Sequence, residues 1–161
     1  MTALVRRLAA DDWATLRSVR LAALADAPLA FNSTHADEAM LAATAWQARL
    51  EEQAWFVAFK DERPVGIVSG GRLREHRSEA RTLRSMWVDE ARRGTGVAND
   101  LVDAVASWAR DDGATQLMLW AIGRAGRAHA FYQRYGFVPT DEVREVDGRQ
   151  HELMTRYQLE L

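Results

Sequence analysis

The sequence predicts a single domain, residues 1–161, of mixed α and β structure. Three observations carry that expectation. Short, apolar, β-prone runs alternate along the chain with segments whose apolar residues recur at helical spacing. No internal repeat, low-complexity tract or linker rich in proline, glycine or serine divides it, and Pro28, Pro64 and Pro139 stand alone at loops or strand edges. The composition is that of a globular domain: 161 residues, 48% hydrophobic and 27% charged, a size at which folding buries roughly 68–70% of the unfolded surface.

Residues 4–8 read as a first strand. Asp11 and Asp12 lie at the expected acidic start of a helix that carries Trp13, Leu16, Val19 and Ala23 on one face and ends near Asp26-Ala27-Pro28. Asn32-Ser33-Thr34 has the form of a glycosylation sequon but reads better as a turn entering the second helix. Thr44, three residues before Gln47, forms a capping box with threonine at the N-cap, and Trp46 and Leu50 share the buried face of the helix it opens. The N-terminal part is thus expected to supply two helices.

Ala54-Trp55-Phe56-Val57-Ala58-Phe59 and Val65-Gly66-Ile67-Val68-Ser69 flank the charged turn Lys60-Asp61-Glu62-Arg63-Pro64, the pattern of a hairpin. A polar loop over residues 72–79 leads to a strand at 82–88 whose alternation is irregular, so both its faces are expected to be partly buried. Val97, Leu101, Val105 and Trp108 then fall at i, i+4, i+8 and i+11, a helical stripe, with Gly113 placed to cap its end. Residues 116–122 form a second core strand, and the order strand, helix, strand implies a right-handed parallel crossover. A short helix from about residue 125 to 135 is stopped by Gly136, and residues 143–146 and 153–159 around Asp147-Gly148 make a closing hairpin. Of the six tryptophans, Trp13, Trp46 and Trp108 sit at core spacings.

Composition also excludes functions. The chain has no cysteine, which removes disulfides, thiolate zinc sites and cysteine nucleophiles. His35, His76, His129 and His151 are scattered without ligand spacing, so no metal is expected. A net charge of -2 and a pI near 6.1 give no global basic field to recruit nucleic acid. Apolar runs fall far short of the ~18 residues of a membrane span and no leader opens the chain, so a soluble, cytoplasmic protein is expected. Lys60 is the sole lysine. Arginine suits bidentate phosphate contacts, although compositional bias of the source genome accounts for the imbalance as well.

The strongest local signal is Arg93-Gly94-Thr95-Gly96-Val97-Ala98, between the strand ending at Val88 and the helix opening near Gly96. Its chemistry is anion binding. The glycines let successive backbone N–H groups turn toward one concavity, and the first-turn amides and positive dipole end of the helix face the same point. A diphosphate fits, Arg92 and Arg93 can add charge-assisted contacts, and the small Ala98 lets a ligand lie against the helix. A phosphate-binding loop of the triphosphatase kind needs Gly-Lys-Ser/Thr, where this chain has Gly96-Val97-Ala98. A dinucleotide fold needs a third small residue after Gly94 and Gly96 and an acidic residue after the next strand, where Gly123 and Arg124 stand. A turn that merely starts a helix remains open on these residues alone.

With its surroundings, the segment resembles the acetyl-CoA loop of the GNAT acyltransferase superfamily: arginine or glutamine, two residues, glycine, one residue, then glycine or alanine. Arg93, Gly96 and Ala98 match, and Val88 occupies the apolar strand position before them. A second family element looks present in Phe131-Tyr132-Gln133-Arg134-Tyr135-Gly136-Phe137. The resemblance is strongest from Thr82 to Phe137. One departure is plain: the asparagine often found seven residues before the tyrosine is Ala125, although the alanine four residues before it is kept as Ala128.

The resemblance implies an α+β fold with a mixed, mostly antiparallel sheet, opened in a V at its centre and flanked by about four helices. It implies acetyl-CoA as co-substrate, and transfer to an amine of a small molecule or peptide by direct attack in a ternary complex. Strands carrying Met86, Trp87 and Val88 on one side and residues 119–122 on the other would splay, leaving backbone groups for the pantetheine and an amide to polarise the thioester carbonyl. Arg92, Arg93, Gly94, Thr95, Gly96, Val97 and Ala98 would hold the pyrophosphate, with Ala125, Ala128 and Tyr132 beside the cofactor. Tyr132 is the expected general acid for the departing thiolate, although its spacing equally suits a core aromatic. A base or water relay is needed because the amine must be neutral; Glu79 and Glu38 are the candidate side chains. The acceptor pocket is expected between residues 31–38 and the loop at 72–79, where Asp37, Glu38 and Glu79 suit a cationic amine such as a polyamine, an aminoglycoside or a peptide amino terminus. Family members often pair as homodimers. A domain that binds acyl-CoA to regulate a partner without catalysis stays open.

Overall fold

The computed structural model describes residues 2–75, 77–123 and 125–161. One sheet of seven strands organises them: β1 (Leu4–Arg7), β2 (Ala54–Lys60), β3 (Arg63–Arg72), β4 (Ala80–Val88), β5 (Gln116–Ile122), β6 (Val138–Val146) and β7 (Arg149–Glu160). Their order across the sheet is β1-β2-β3-β4-β5-β7-β6. Every adjacent pair is antiparallel except β4 and β5, which run parallel as the crossover requires.

On one face lie α4 (Val97–Asp111) and α5 (Arg127–Tyr135). The stripe Val97, Leu101 and Val105 meets Phe56, Val68, Leu83, Leu117 and Leu119 in one apolar cluster, with Trp108 packed at its edge. Gly70 makes this approach possible, since a Cβ there would meet the Trp108 ring at 2.7 Å. Helix α4 closes as its glycine predicts: Gly113 has φ +85°, its N–H donates to Arg110 O, and Ala114 N donates to Ala109 O, a Schellman ending.

The other face is covered by α1 (Trp13–Asp26) and α3 (Ala43–Glu52), which bury Leu16, Val19, Ala23 and Trp46 against Val57, Ile67 and Trp87. Two expectations are corrected here. Thr44 does not cap α3: Ala42 is already extended at ψ 159° and is the N-cap, so Thr44 falls inside the first turn, and no side chain caps the helix. The N-terminal part also supplies three α-helices, not two. The additional one, α2 (His35–Ala39), is too short for periodicity to register, and Thr34 caps it by accepting from Asp37 N at 3.1 Å. Among the described residues, no helix is long and apolar enough to cross a membrane.

The central V is a pairing event. β4 and β5 pair only at Ala80, Arg81 and Thr82 with Gln116, Leu117 and Met118. Beyond Thr82 the two strands share no ladder among the described residues. On its other edge β4 carries one extra residue: Ile67 faces Trp87 and Ser69 faces Arg84, so three steps along β4 oppose two along β3. Ser85 sits in that bulge with φ +59°, uncommon for a residue with a Cβ. A bulge bends its strand, and this one lies where β4 leaves β5. The closed end is fastened by buried Arg81, whose guanidinium donates to Asp112 Oδ2 and Asp112 O, both at 2.7 Å.

Candidate active site

At the open end of the V, β4 runs straight into the glycine loop. Asp89 Oδ1 accepts Ala91 N at 3.0 Å and starts a single 3-10 turn over Glu90–Arg92. Thr95 Oγ1 donates to Arg92 O at 2.5 Å and fixes the reversal. Gly94 and Gly96 follow at φ +77° and +93°, where a side chain is strained, yet a Cβ on either would meet nothing within 4 Å. The concavity above them is open. Gly96 is the N-cap of α4 and offers no side-chain cap, so the first-turn amides have no such acceptor. Val97 is buried and anchors the helix start, and Ala98 packs partly against the same cluster. Uncapped amides, a helix dipole and an uncovered double-glycine turn are the arrangement that suits an anion.

The two loop arginines have different roles. Arg92 is half-buried, and its guanidinium has no carboxylate or carbonyl partner among the described residues. Arg93 is occupied: Nε donates to Val88 O at 3.1 Å and Nη2 to Asp26 Oδ2 at 2.9 Å. The same carboxylate oxygen accepts Trp87 Nε1 at 2.9 Å. Asp26 therefore fastens the end of α1 to both the strand and the loop, a role missed from sequence. Its signal was present, since a carboxylate at a helix C-terminus opposes the dipole and needs another partner.

Along the unpaired stretch of β4, Met86 is half-buried while Trp87 and Val88 are buried on opposite faces. Tyr132, on α5, is 7% exposed and its ring meets Phe131 and Phe137 edge-on. Among the described residues nothing hydrogen-bonds its hydroxyl, and burial pushes its pKa well above the ordinary phenol value. Ala125 and Ala128 are exposed near the start of α5, and Arg124 lies outside the described residues, as does His76.

His129, noted in the sequence only as an unlikely metal ligand, is buried on the inner side of α5. Its Nε2 lies 3.0 Å from Ile122 O, and a carbonyl can only accept, so Nε2 carries the proton. Nδ1 in the neutral ring then accepts from Tyr157 Oη at 2.8 Å. This bond chain ties α5, and Tyr132 with it, to the last residue of β5 on the open side. Among the described residues no group of three or more histidine or acidic side chains is arranged to hold a metal.

Glu38 and Glu79 occupy unequal places. Glu38 is 1% exposed and is the hub of a triad: Arg20 donates from Nε and Nη2, each at 3.0 Å, and Arg49 from Nη1 at 2.6 Å. Burial alone would raise its pKa, but the hydrogen bonds and charges of Arg20 and Arg49 outweigh that and hold it below the usual carboxylate range. Such a group has little proton affinity; its connections join α1, α2 and α3. Glu79 is exposed, pairs with Arg77 at 3.2 Å, and immediately precedes β4 at the closed end of the V. At the usual strand rise it lies on the order of 20 Å along the chain from Met86.

The face of β4 and β5 away from α4 carries Thr82, Arg84, Met118 and Trp120, since Leu83, Leu117 and Leu119 pack on the α4 side. The segment at 28–31 meets the β6–β7 hairpin through Arg149, whose guanidinium donates to Pro28 O, Leu29 O and Phe31 O. The loop between β3 and β4 crosses the same face, with Arg77 against Met118 and Glu75 accepting from Arg156 at 3.0 Å.

The model of the acetyltransferase (GNAT) family matches residues 16–137. No curated protein matches the chain. Among solved structures, a GNAT-family acetyltransferase from Streptococcus pneumoniae is 18% identical with 99% of each chain covered and a TM-score of 0.79. YncA from Salmonella typhimurium, solved with its cofactor acetyl-CoA, is 17% identical over 100% of this chain and 95% of its own, with a TM-score of 0.77. A ribosomal-protein-alanine N-acetyltransferase from Brucella melitensis is 22% identical over 98% and 99%, with a TM-score of 0.72. At these identities the likeness is one of fold, and it runs the length of the chain. The splayed parallel pair, the uncapped helix behind a double-glycine turn and a family match over most of the chain agree, and the chain belongs to the GNAT acetyltransferase family.

Proposed function

We propose that the protein transfers an acetyl group from acetyl-CoA to a primary amine of a small molecule or peptide by direct attack within a ternary complex. The observation that carries this reading is the end of β4–β5 pairing at Thr82 and Met118, beside a bulge at Ser85 and an open anion loop. A buried amide left without a partner costs about 1–3 kcal/mol, so a parted strand pair favours a ligand that supplies the missing bonds. The residues fit such a ligand: an amide-bearing arm suits the free edges, and a diphosphate suits the amides at Gly94, Thr95, Gly96, Val97 and Ala98, with Arg92 as their free guanidinium.

When bound, acetyl-CoA supplies an activated thioester. The chain's own contribution is positioning and electrostatics. An amide at Met86, Trp87 or Val88 serves as the donor to developing negative charge. Arg93 shapes the loop through Val88 O and Asp26 and leaves the phosphate contacts to backbone and Arg92. Tyr132 holds its proton across neutral pH, because burial favours the phenol, and is the group assigned to protonate the leaving sulfur. With Glu38 locked between two arginines and Glu79 at the closed end, the amine proton is passed to solvent water.

Thermal shift tests donor choice: a selective ligand at 100 times its Kd adds about 2.7 kcal/mol, expected for acetyl-CoA and not for ATP or NAD. Thiol release across an amine panel, with Tyr132→Phe as control, tests transfer. Absence of an acetyl-CoA shift overturns the reading.

A further inference from the structure

We infer that the acceptor amine carries a carboxylate, and that Arg84 is the subsite that binds this group. The inference rests on the acetyltransferase reading above and names the acceptor class for the same site. The partners of the half-buried and buried arginines carry the argument. Arg20 and Arg49 share Glu38, Arg81 has Asp112, Arg93 has Asp26, Arg156 has Glu75 and Glu142, Arg77 has Glu79 and Arg149 has Glu152. Arg17 donates to Ala39 O. Two half-buried guanidiniums have no such partner among the described residues: Arg92 and Arg84. Arg92 lies in the loop already read as an anion site. Arg84 lies half-buried on the face of β4 away from α4, one residue before the bulge.

Its side is fixed by register. Leu83 packs in the cluster with α4, so Arg84 points to the opposite face, where Thr82 precedes it and Trp87 follows past the extra residue at Ser85. On the neighbouring strand that face carries Met118 and Trp120, since Leu117, Leu119 and Ala121 belong to the α4 side. Among the described residues, the carboxylates of the β3–β4 loop and Glu142 of β6 are taken by other arginines. Glu75 is taken by Arg144 and Arg156, Glu142 by Arg156, and Glu79 by Arg77. Burial, first, and the positive charge of Arg74 both disfavour its charged form. A guanidinium kept in a half-buried position against a like charge gains most from an anion that arrives with a ligand. Its position two residues before Met86 on β4, on the order of 7 Å at the usual rise, places that anion within one small molecule of the free strand edge. The sign is opposite to the cationic amine that Asp37, Glu38 and Glu79 suggest in sequence; Asp37 is exposed and the other two are paired.

The test pairs free α-amino acids with their carboxamides, which keep the amine and side chain and lose the carboxylate. Thiol release gives kcat and KM, and stabilisation by each compound with coenzyme A present gives binding without turnover. The wild-type protein should favour the acids, and Arg84→Gln should raise their KM about tenfold to a hundredfold, the value of one charge-assisted bond, with the carboxamides and the acetyl-CoA shift unchanged. Arg84→Lys should retain part of the preference. Arg84→Gln should fold with an unreduced Tm, because it removes a buried charge without a partner. Equal response to acids and carboxamides in both assays, or an Arg84→Gln defect equal for both classes, overturns the inference while leaving acetyl transfer intact. A wild-type protein that acetyl-CoA does not stabilise overturns both.

Discussion

Glu38→Gln separates a structural from a catalytic role for the most buried carboxylate. The substitution keeps the shape and one acceptor but removes the charge that compensates Arg20, 8% exposed, and Arg49, partly exposed. Arg20 already leaves Nη1 without a partner, so it has no second acceptor to turn to. Removing one member of a buried ion pair costs about 3–5 kcal/mol. Solvent screening of Arg49 favours the lower end, about 3 kcal/mol. At about 2–4 °C per kcal/mol for a chain this size, Tm should fall by roughly 6–12 °C in a thermal melt. The sign with pH follows from the depressed folded pKa: the stabilisation is present above the unfolded value near 4.3 and is lost as pH falls through the folded value. The difference between wild type and Glu38→Gln should therefore be constant from neutral pH down to about pH 5 and shrink below it. A double change, Arg20→Met with Glu38→Met, should recover most of the loss, since an apolar replacement leaves no charge stranded. A Tm within about 2 °C of wild type, with turnover lost, would refute the triad argument and restore Glu38 as a base.

Three further outcomes can be measured. Gly96→Val places a β-branched residue at φ +93° and should cost about 1–2 kcal/mol of stability while raising the KM for acetyl-CoA far more than it changes kcat. Tyr132→Phe should lower kcat by about 10²–10⁴-fold with KM nearly unchanged, and the wild-type rate should have no alkaline limb from this phenol below pH ~10, because burial raises its pKa; undiminished turnover would remove it as the acid. Ser85→Val sets a β-branched residue at φ +59° and should cost about 1–2 kcal/mol and weaken the acetyl-CoA shift, and an unchanged shift would disconnect the bulge from the cleft.

Much of the fold was legible because its signals are local and periodic. The α4 stripe, the β2–β3 hairpin and the Gly113 ending each depend on residues close in sequence, and each formed as expected. The failures have equally local causes. Thr44 satisfied the letter of a capping box, but the chain turned helical before it at Ala43; α2 is shorter than two turns of any periodic test. The ion-pair partners of Asp26 and Glu38, and the lack of one at Arg84 among the described residues, were not legible, because an ion pair across many residues leaves no spacing to read. Glu38 joins two arginines 18 and 11 residues away, and only burial distinguishes it from the solvated glutamates.

The centre of the site lies between these cases. The strand at 82–88 was expected to alternate irregularly, and the irregularity is the bulge seen from sequence: Leu83, Met86 and Val88 share one face, a step of three followed by a step of two. A strand with period two cannot do this without an extra residue, and the extra residue is Ser85. The residue type conceals it, since serine carries no preference for positive φ as glycine does. The consequence is functional as well as geometric. One inserted residue bends β4 where it leaves β5, turns Trp87 to meet Asp26, and leaves Arg84 on the face away from α4 without a carboxylate partner among the described residues. The proposed donor side thus follows from the local glycine chemistry of residues 93–98, whereas the proposed acceptor side depends on a change of strand parity and on which charges the rest of the fold has already neutralised.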